Sequence, residues 1–202
     1  MSITRERFEQ GMSYDAYKAQ MTRNRDRLEA NEATVVLSAA DEAFFAELPQ
    51  HIYVLVITED WCGDAMNNIP VLVRLARAGG RLDLRFFLRD QNPDLMARYL
   101  KDGQHSSIPV FVFFDAAFRE LGHWIERPAA ISAQQGAALA ELFATAPELQ
   151  GVALGTSPAD LPEAARQRVI QFFNEFRART RVEADAAVAR ELREVLTQAL
   201  AR

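Results

Sequence analysis

Two segments of this chain, Ile52-Tyr53-Val54-Leu55-Val56-Ile57 and Val110-Phe111-Val112-Phe113-Phe114, are apolar at every position over the length of a strand. Strands of that kind have no solvent face, so they belong inside a sheet with a covering layer on both sides. The segments between them have helical spacing. Residues 63 to 78 carry Met66, Ile69, Leu72, Val73 and Ala76 on one side and end at Gly79-Gly80. Leu82 to Leu88 predicts another strand, and Pro93-Asp94 opens a helix running through Leu100 to a stop at Asp102-Gly103. Phe118 to Trp124 predicts an antiparallel partner for the run at 110–114, across the turn Asp115-Ala116-Ala117. Ser132-Ala133-Gln134-Gln135 predicts a capping box that opens a helix to about Thr145. Upstream, the β-branched run Thr34-Val35-Val36-Leu37 predicts a short strand, and Ser38-Ala39-Ala40-Asp41 a capped helix start. The order strand, helix, strand, helix, strand, helix, strand, strand, helix predicts an α/β fold, a mixed sheet flanked by helices with a hairpin at one edge.

Helical extensions flank this unit. Residues 1–33 predict an N-terminal helical extension with Tyr14, Tyr17, Met21 and Leu28 on one side, and residues 34–146 the α/β domain. Residues 147–202 predict a C-terminal extension. It starts with a loop carrying Pro147, Gly151, Gly155 and Pro158 and continues with two helical stripes, Val169, Phe172, Phe173 and Phe176, then Val188, Leu192, Val195, Leu196 and Leu200. Such stripes need cover. The α/β domain is the expected cover, and a homodimer formed through the terminal helices is the alternative. A length of 202 residues at 49% hydrophobic content supplies a sizeable core. A net charge of −5, mixed in sign along the chain, weighs against nucleic acid or an anionic membrane as partner. The polar start, Met1-Ser2-Ile3-Thr4-Arg5-Glu6-Arg7, carries no apolar signal core and no later stretch has spanning character, so a cytoplasmic location is expected.

Cys62 is the single cysteine. One cysteine forms no internal disulfide, so any disulfide chemistry involves a second molecule. The histidines His51, His105 and His123 are not at ligand spacing, and neither a metal nor a cofactor is expected. Cys62 stands in Glu59-Asp60-Trp61-Cys62-Gly63-Asp64-Ala65, at the junction of a buried strand and a helix. Pro70 follows eight residues later within that helix. Asp90-Gln91-Asn92-Pro93 closes the next strand, and Ser107-Ile108-Pro109-Val110 opens the run at 110–114. Over residues 34 to 145 these motifs and their order resemble the thioredoxin superfamily, in particular a branch that reads Trp-Cys-Gly-Asp-Cys. The resemblance implies a thioredoxin-like fold, an attacking cysteine at Cys62, and a substrate rim made by Trp61, Gly63, Asp64, Ala65, Ile108 and Pro109. It also implies a cis bond before Pro109 that exposes backbone for an incoming chain to pair with. His105 and the Gly122-His123-Trp124 segment are weaker candidates for the same rim.

Independently of the resemblance, a sulfur just before a helix faces unpaired N–H groups and the positive end of the helix dipole, which favour the thiolate. Glu59, Asp60 and Asp64 oppose that effect, but carboxylates that turn to solvent oppose it weakly, so a modestly lowered pKa is expected. Two departures from the family accompany one another. Ala65 occupies the place of the second cysteine, and Val56 that of the buried acid assisting it. Without a second thiol, the expected activity is monothiol disulfide exchange. Cys62 attacks a protein or low-molecular-weight disulfide, and an external thiol such as glutathione resolves the adduct, as in monothiol glutaredoxins. The alternatives are a redox-inactive protein-binding module and an engineered cysteine-to-alanine change at Ala65 in a dithiol reductase.

Overall fold

A computed structural model describes residues 2–201. The chain begins with three short helices, α1 (Arg5–Glu9), α2 (Tyr14–Gln20) and α3 (Arg25–Thr34), followed by α4 (Ala39–Ala46). The central unit contains β1 (Ile52–Thr58), α5 (Gly63–Gly79), β2 (Leu82–Leu88), α6 (Pro93–Met96), β3 (Val110–Phe114) and β4 (Glu120–Ile125). Three long helices complete it: α7 (Ala129–Thr145), α8 (Glu163–Arg179) and α9 (Arg181–Leu200). The sheet order is β2-β1-β3-β4. β1 pairs parallel to β2 and antiparallel to β3, and β3 and β4 form an antiparallel hairpin. The two fully apolar runs are the two inner strands, with β3 buried at every position and β1 at all but Tyr53. The fold is the mixed sheet flanked by helices that the alternation predicts.

The N-terminal segment completes the sheet. Met12 exchanges two backbone hydrogen bonds of 2.9 Å with Phe86, so a residue outside the strands covers the free edge of β2. Gly11 permits this approach: a Cβ there would lie 2.5 Å from the Phe87 ring. Tyr17 stacks on Phe86 at 5.1 Å, and Phe8 meets Tyr53 and Phe118 edge-on.

Several local expectations are corrected. Residues 34 to 37 form no strand. Thr34 ends α3, Val36 is 80% exposed, and Met12 already occupies the edge of β2. A β-branched run this short, caught between a helix end and a capped helix start, serves as a connector. Ser38 does cap α4, accepting from Asp41 N–H at 3.1 Å and donating to Asp41 Oδ2 at 2.6 Å. Ser132 caps nothing. α7 starts three residues earlier, and Glu191 of α9 accepts the Ala129 N–H at 2.9 Å, so a tertiary cap replaces the local one. α6 stops at Met96, while Tyr99 is buried and donates to Glu120 at 3.0 Å. Phe118 lies in the turn at φ 58°, and β4 begins at Glu120 after an irregularity opposite Phe113 and Phe114.

The C-terminal stripes are covered within the chain. Val188, Leu192 and Leu196 of α9 are buried in the main core, where α9 packs against α5 and β4. Val169, Phe172 and Phe176 of α8 join Ile131 and Leu142 of α7 and Leu149 in a second, smaller core. α9 contributes Ala184 to that core as well, so one helix belongs to both. Among the described residues, no helix is long and apolar enough to cross a membrane. Because α9 is part of the main core, Leu192→Ala is expected to cost about 2–5 kcal/mol. Urea denaturation followed by far-UV circular dichroism and by tryptophan fluorescence checks this. The loss should appear in one transition common to both probes, whereas a separate early transition would mean that α9 is only appended.

Candidate functional site

The loop between β1 and α5 is held from both sides before it reaches Cys62. Glu59 is buried, and its carboxylate accepts the Asp90 N–H at 2.8 Å; burial pushes its pKa up. Asp60 Oδ2 accepts from Thr22 N–H at 2.7 Å, Thr22 Oγ1 at 3.1 Å and Arg23 N–H at 3.1 Å, and Asn24 donates to the Asp60 carbonyl at 2.9 Å. The acids of the motif therefore act as latches, one to the end of β2 and one to the turn before α3. Trp61 protrudes, 41% exposed, with the Arg89 guanidinium 4.7 Å from its ring centroid.

Cys62 is the N-cap of α5. Its sulfur accepts the Ala65 N–H at 3.4 Å, and its S–H donates to the Ile108 carbonyl at 3.3 Å across the site. The Ile108–Pro109 peptide is cis, and the Pro109 carbonyl accepts the Glu126 N–H at 2.7 Å. The cysteine and the segment before β3 thus meet, as the resemblance implies. Ala65 is fully buried beneath the sulfur's hydrogen bond. The two histidines stand apart from this pairing. His105 is exposed in a bridge with Lys101, and His123 lies 3.1 Å from Glu120 and against the Tyr99 ring. Among the described residues, no group of three His, Cys, Asp or Glu is placed to hold a metal.

The electrostatics correct the expectation of a lowered thiol pKa. Cys62 is 9% exposed, and burial, followed by the charge of Asp64, pushes its pKa up to about 11. The Ala65 and Asp64 N–H groups and Arg177 pull the other way without prevailing. A sulfur in water beside carboxylates that turn away would behave as the sequence argument expects. Here the sulfur is enclosed and Asp64 turns inward. Asp64 is 8% exposed and held by two arginines, Arg177 Nε at 2.9 Å on Oδ1 and Arg127 Nη2 at 2.7 Å on Oδ2. Burial works to raise the Asp64 pKa, but the two guanidiniums outweigh it and hold the carboxyl below its ordinary range.

Arg127 and Arg177 are the residues that sequence reasoning misses. Arg127 follows β4 and also pairs with Glu126, while Arg177 is in the last turn of α8. Arg177 lies over the start of α5, where a Cβ on Gly63 would meet its guanidinium carbon at 2.7 Å. Glycine after Cys62 thus leaves room for the guanidinium of a side chain more than a hundred positions away, which a Cβ there would displace. No local pattern marks an arginine more than a hundred positions away, and the only available signal was an unpaired acid in the first turn of α5.

The sequence matches the family model described as thioredoxin over residues 11–139. No curated protein matches the sequence significantly. Among solved structures, it is similar to a protein of unknown function from Pseudomonas aeruginosa at 21% identity. That likeness covers 71% of this chain and 89% of the other, with a TM-score of 0.60. It is also similar to an HIV epitope-scaffold at 22% identity, over 62% of this chain and 78% of the other, with a TM-score of 0.56. At these identities the two structures share the fold with this chain and nothing more is read from them. With the family model spanning more than half of the chain and Cys62 facing a cis-proline segment across the start of α5, this chain belongs to the thioredoxin family.

Proposed function

We propose that the chain is a thiol–disulfide oxidoreductase working as a monothiol, with Cys62 as nucleophile. The observation that carries this reading is the placement of its sulfur at the N-terminus of a 17-residue helix, bonded across the site to the carbonyl that precedes the cis proline. In the forward step, the Cys62 S–H gives up its proton and the sulfur attacks one sulfur of a protein or low-molecular-weight disulfide. A new S–S bond to Cys62 forms, and the other sulfur leaves as a thiol after taking a proton. An external thiol such as glutathione then attacks the adduct, restoring Cys62 and carrying away the substrate half as a disulfide. The Ile108 backbone, next to the cis Pro109, is the element for an extended substrate to pair with. Trp61 is the exposed part of the rim, while Gly63 lies under Arg177 and Asp64 and Ala65 are buried behind it. The raised pKa favours a second reading, a docking module in which the thiol is idle. Steady reduction of a glutathione mixed disulfide by the wild type, lost in Cys62→Ser, supports the redox reading. Absence of turnover with any thiol, with partner capture intact in Cys62→Ser, supports the module.

The thiol's titration is testable by itself. With a pKa of about 11, only about one molecule in ten thousand is thiolate at pH 7. Alkylation of Cys62, followed by intact mass, should accelerate about tenfold per pH unit from pH 7 to 10. A plateau below pH 9 would contradict this. Asp64→Asn removes the carboxylate and frees two guanidiniums, so it should lower the thiol pKa by about one to two units and speed labelling at pH 7.5 about tenfold or more. Arg177→Gln should slow it. Opposite signs in the two variants separate electrostatics from general loosening of the fold, which would speed both.

The missing resolving thiol gives a third test. Ala65→Cys places a thiol one helical turn from Cys62, and mild oxidation should then form an intramolecular disulfide, read as the loss of two hydrogens and of free thiol. If both thiols stay free under oxidant, the buried position of Ala65 does not tolerate the bridge and the monothiol state is fixed by packing.

A further inference from the structure

On the side of α5 covered by the C-terminal helices lies a cavity of about 370 Å³ whose walls come from α3, α5, α8 and α9, and one of its residues, Arg177, reaches over Gly63 next to Cys62. Its polar lining is three arginines, Arg27, Arg177 and Arg181, and three asparagines, Asn31, Asn67 and Asn174. Acidic residues do not line it. The nearest carboxylates are committed behind its walls. Asp64 is shared between Arg177 and Arg127, and the buried Asp185 pairs with Arg181 Nε at 2.9 Å. Among the described residues, Arg27 donates to the neutral Asn174 Oδ1 at 3.2 Å and pairs with no carboxylate. The three lining guanidiniums therefore have two carboxylates among them, Asp64 on Arg177 and Asp185 on Arg181, and the charge of Arg27 is the unbalanced one.

The donors are also incompletely used. Arg181 Nη2 donates to the Asn31 carbonyl at 3.1 Å, but its buried Nη1 has no acceptor. Asn31 Nδ2 donates to Asn67 Oδ1 at 3.2 Å and to the Met66 carbonyl at 2.9 Å, so these two amides are held together at the wall. Like-charged guanidiniums gathered in a partly desolvated space are costly unless an anion joins them. The shift of Arg27 points the same way, since burial and the charges of Arg177 and Arg181 pull its pKa down. Planar guanidinium and amide donors converging on one space match the oxygens of a carboxylate or a phosphate. The volume takes such a group together with part of its carrier.

We propose that this cavity binds the carboxylate or phosphate group of a small anionic ligand, and that Arg177, lying over Gly63, connects it to the Cys62 site. The group is either a free phosphate-type anion or one carried by a compound that reaches the thiol. Binding here does not depend on the redox reading, because it is measured without turnover.

The test is isothermal titration calorimetry at fixed ionic strength on the full chain, with two probes: inorganic phosphate, and S-methylglutathione, which carries carboxylates and no reactive thiol. At least one probe should bind saturably with a Kd of millimolar or below. Affinity should fall about tenfold or more in Arg27→Gln, the loss of one charge-assisted hydrogen bond. It should be unchanged in Cys62→Ser and in Arg190→Gln, whose arginine pairs with Glu194 on the exposed side of α9. Tighter binding of phosphate identifies a free anion as the source, and tighter binding of S-methylglutathione a carboxylate-bearing thiol compound. No saturable binding of either probe, or affinity unchanged in Arg27→Gln, overturns the proposal. Failure of disulfide reduction together with intact anion binding would remove the redox reading and leave this site standing.

Discussion

One buried carboxylate joins parts of the chain that are otherwise distant. Asp64 sits in the first turn of α5, where the helix dipole favours a negative charge, and it is closed in by Arg127 from the turn after β4 and Arg177 from the end of α8. An isolated carboxylate at this depth would be strongly destabilising, and two charge-assisted partners make it tolerable. The arrangement brings the hairpin and the C-terminal helices to the reactive end of α5. Gly63 leaves room for this arrangement, since a Cβ there would push the Arg177 guanidinium aside. Without the carboxylate the two arginines would repel each other, and α8 would lose its polar attachment to the α/β unit. The apolar attachment, through α9, lies elsewhere in the core.

The same interaction sets the character of the thiol. Asp64 cannot turn away from Cys62 while it is clamped, so its charge acts on the sulfur at short range, and the clamp residue Arg177 only partly offsets it. Enclosure by the Ile108 carbonyl segment adds the larger effect of burial. The family's arrangement of sulfur, helix N-terminus and cis proline is kept, but the balance within it favours the protonated form. A cysteine in that state reacts slowly by itself and depends on pH and on nearby charge. A site that gathers excess guanidinium charge next to it is therefore relevant to whatever the thiol does.

The architecture was legible because the strongest signals were local. Unbroken apolar runs at 52–57 and 110–114 identified the inner strands, and the motif around Cys62 identified the strand-to-helix junction. Ser38 capped as predicted because its partner Asp41 is three residues away. Signals failed where a distant residue took over the local role. Glu191 capped α7 in place of Ser132, and Met12, not the run at 34–37, pairs with the edge of β2. The site divides along the same line. Cys62, Ile108 and Pro109 were found by motif and spacing, whereas Arg127 and Arg177 were not, because ion pairs across 63 and 113 positions leave no periodicity behind. The thiol pKa is missed for the same reason: nothing local says that the sulfur is enclosed, which is the larger effect, or that Asp64 is clamped inward beside it.

The two departures from the dithiol pattern make sense together in terms of burial. In a two-cysteine centre, the second thiol loses a proton in an enclosed place, and a buried acid at the position of Val56 can take it. With alanine at 65 there is no such proton, and an acid at 56 would be a charge in the middle of β1 with no function to offset its desolvation. Val56 and Ala65 are both fully buried in the main core. At these two positions the interior behind the sulfur is apolar. The buried Tyr17 and Thr58 hydroxyls lie 3.4 Å from each other on one side, and the charged groups lie on the other, along the Asp64 clamp and the arginine-lined cavity. Proton and charge control at Cys62 therefore comes from the flank formed with the C-terminal helices, where a dithiol thioredoxin would use the floor of the site.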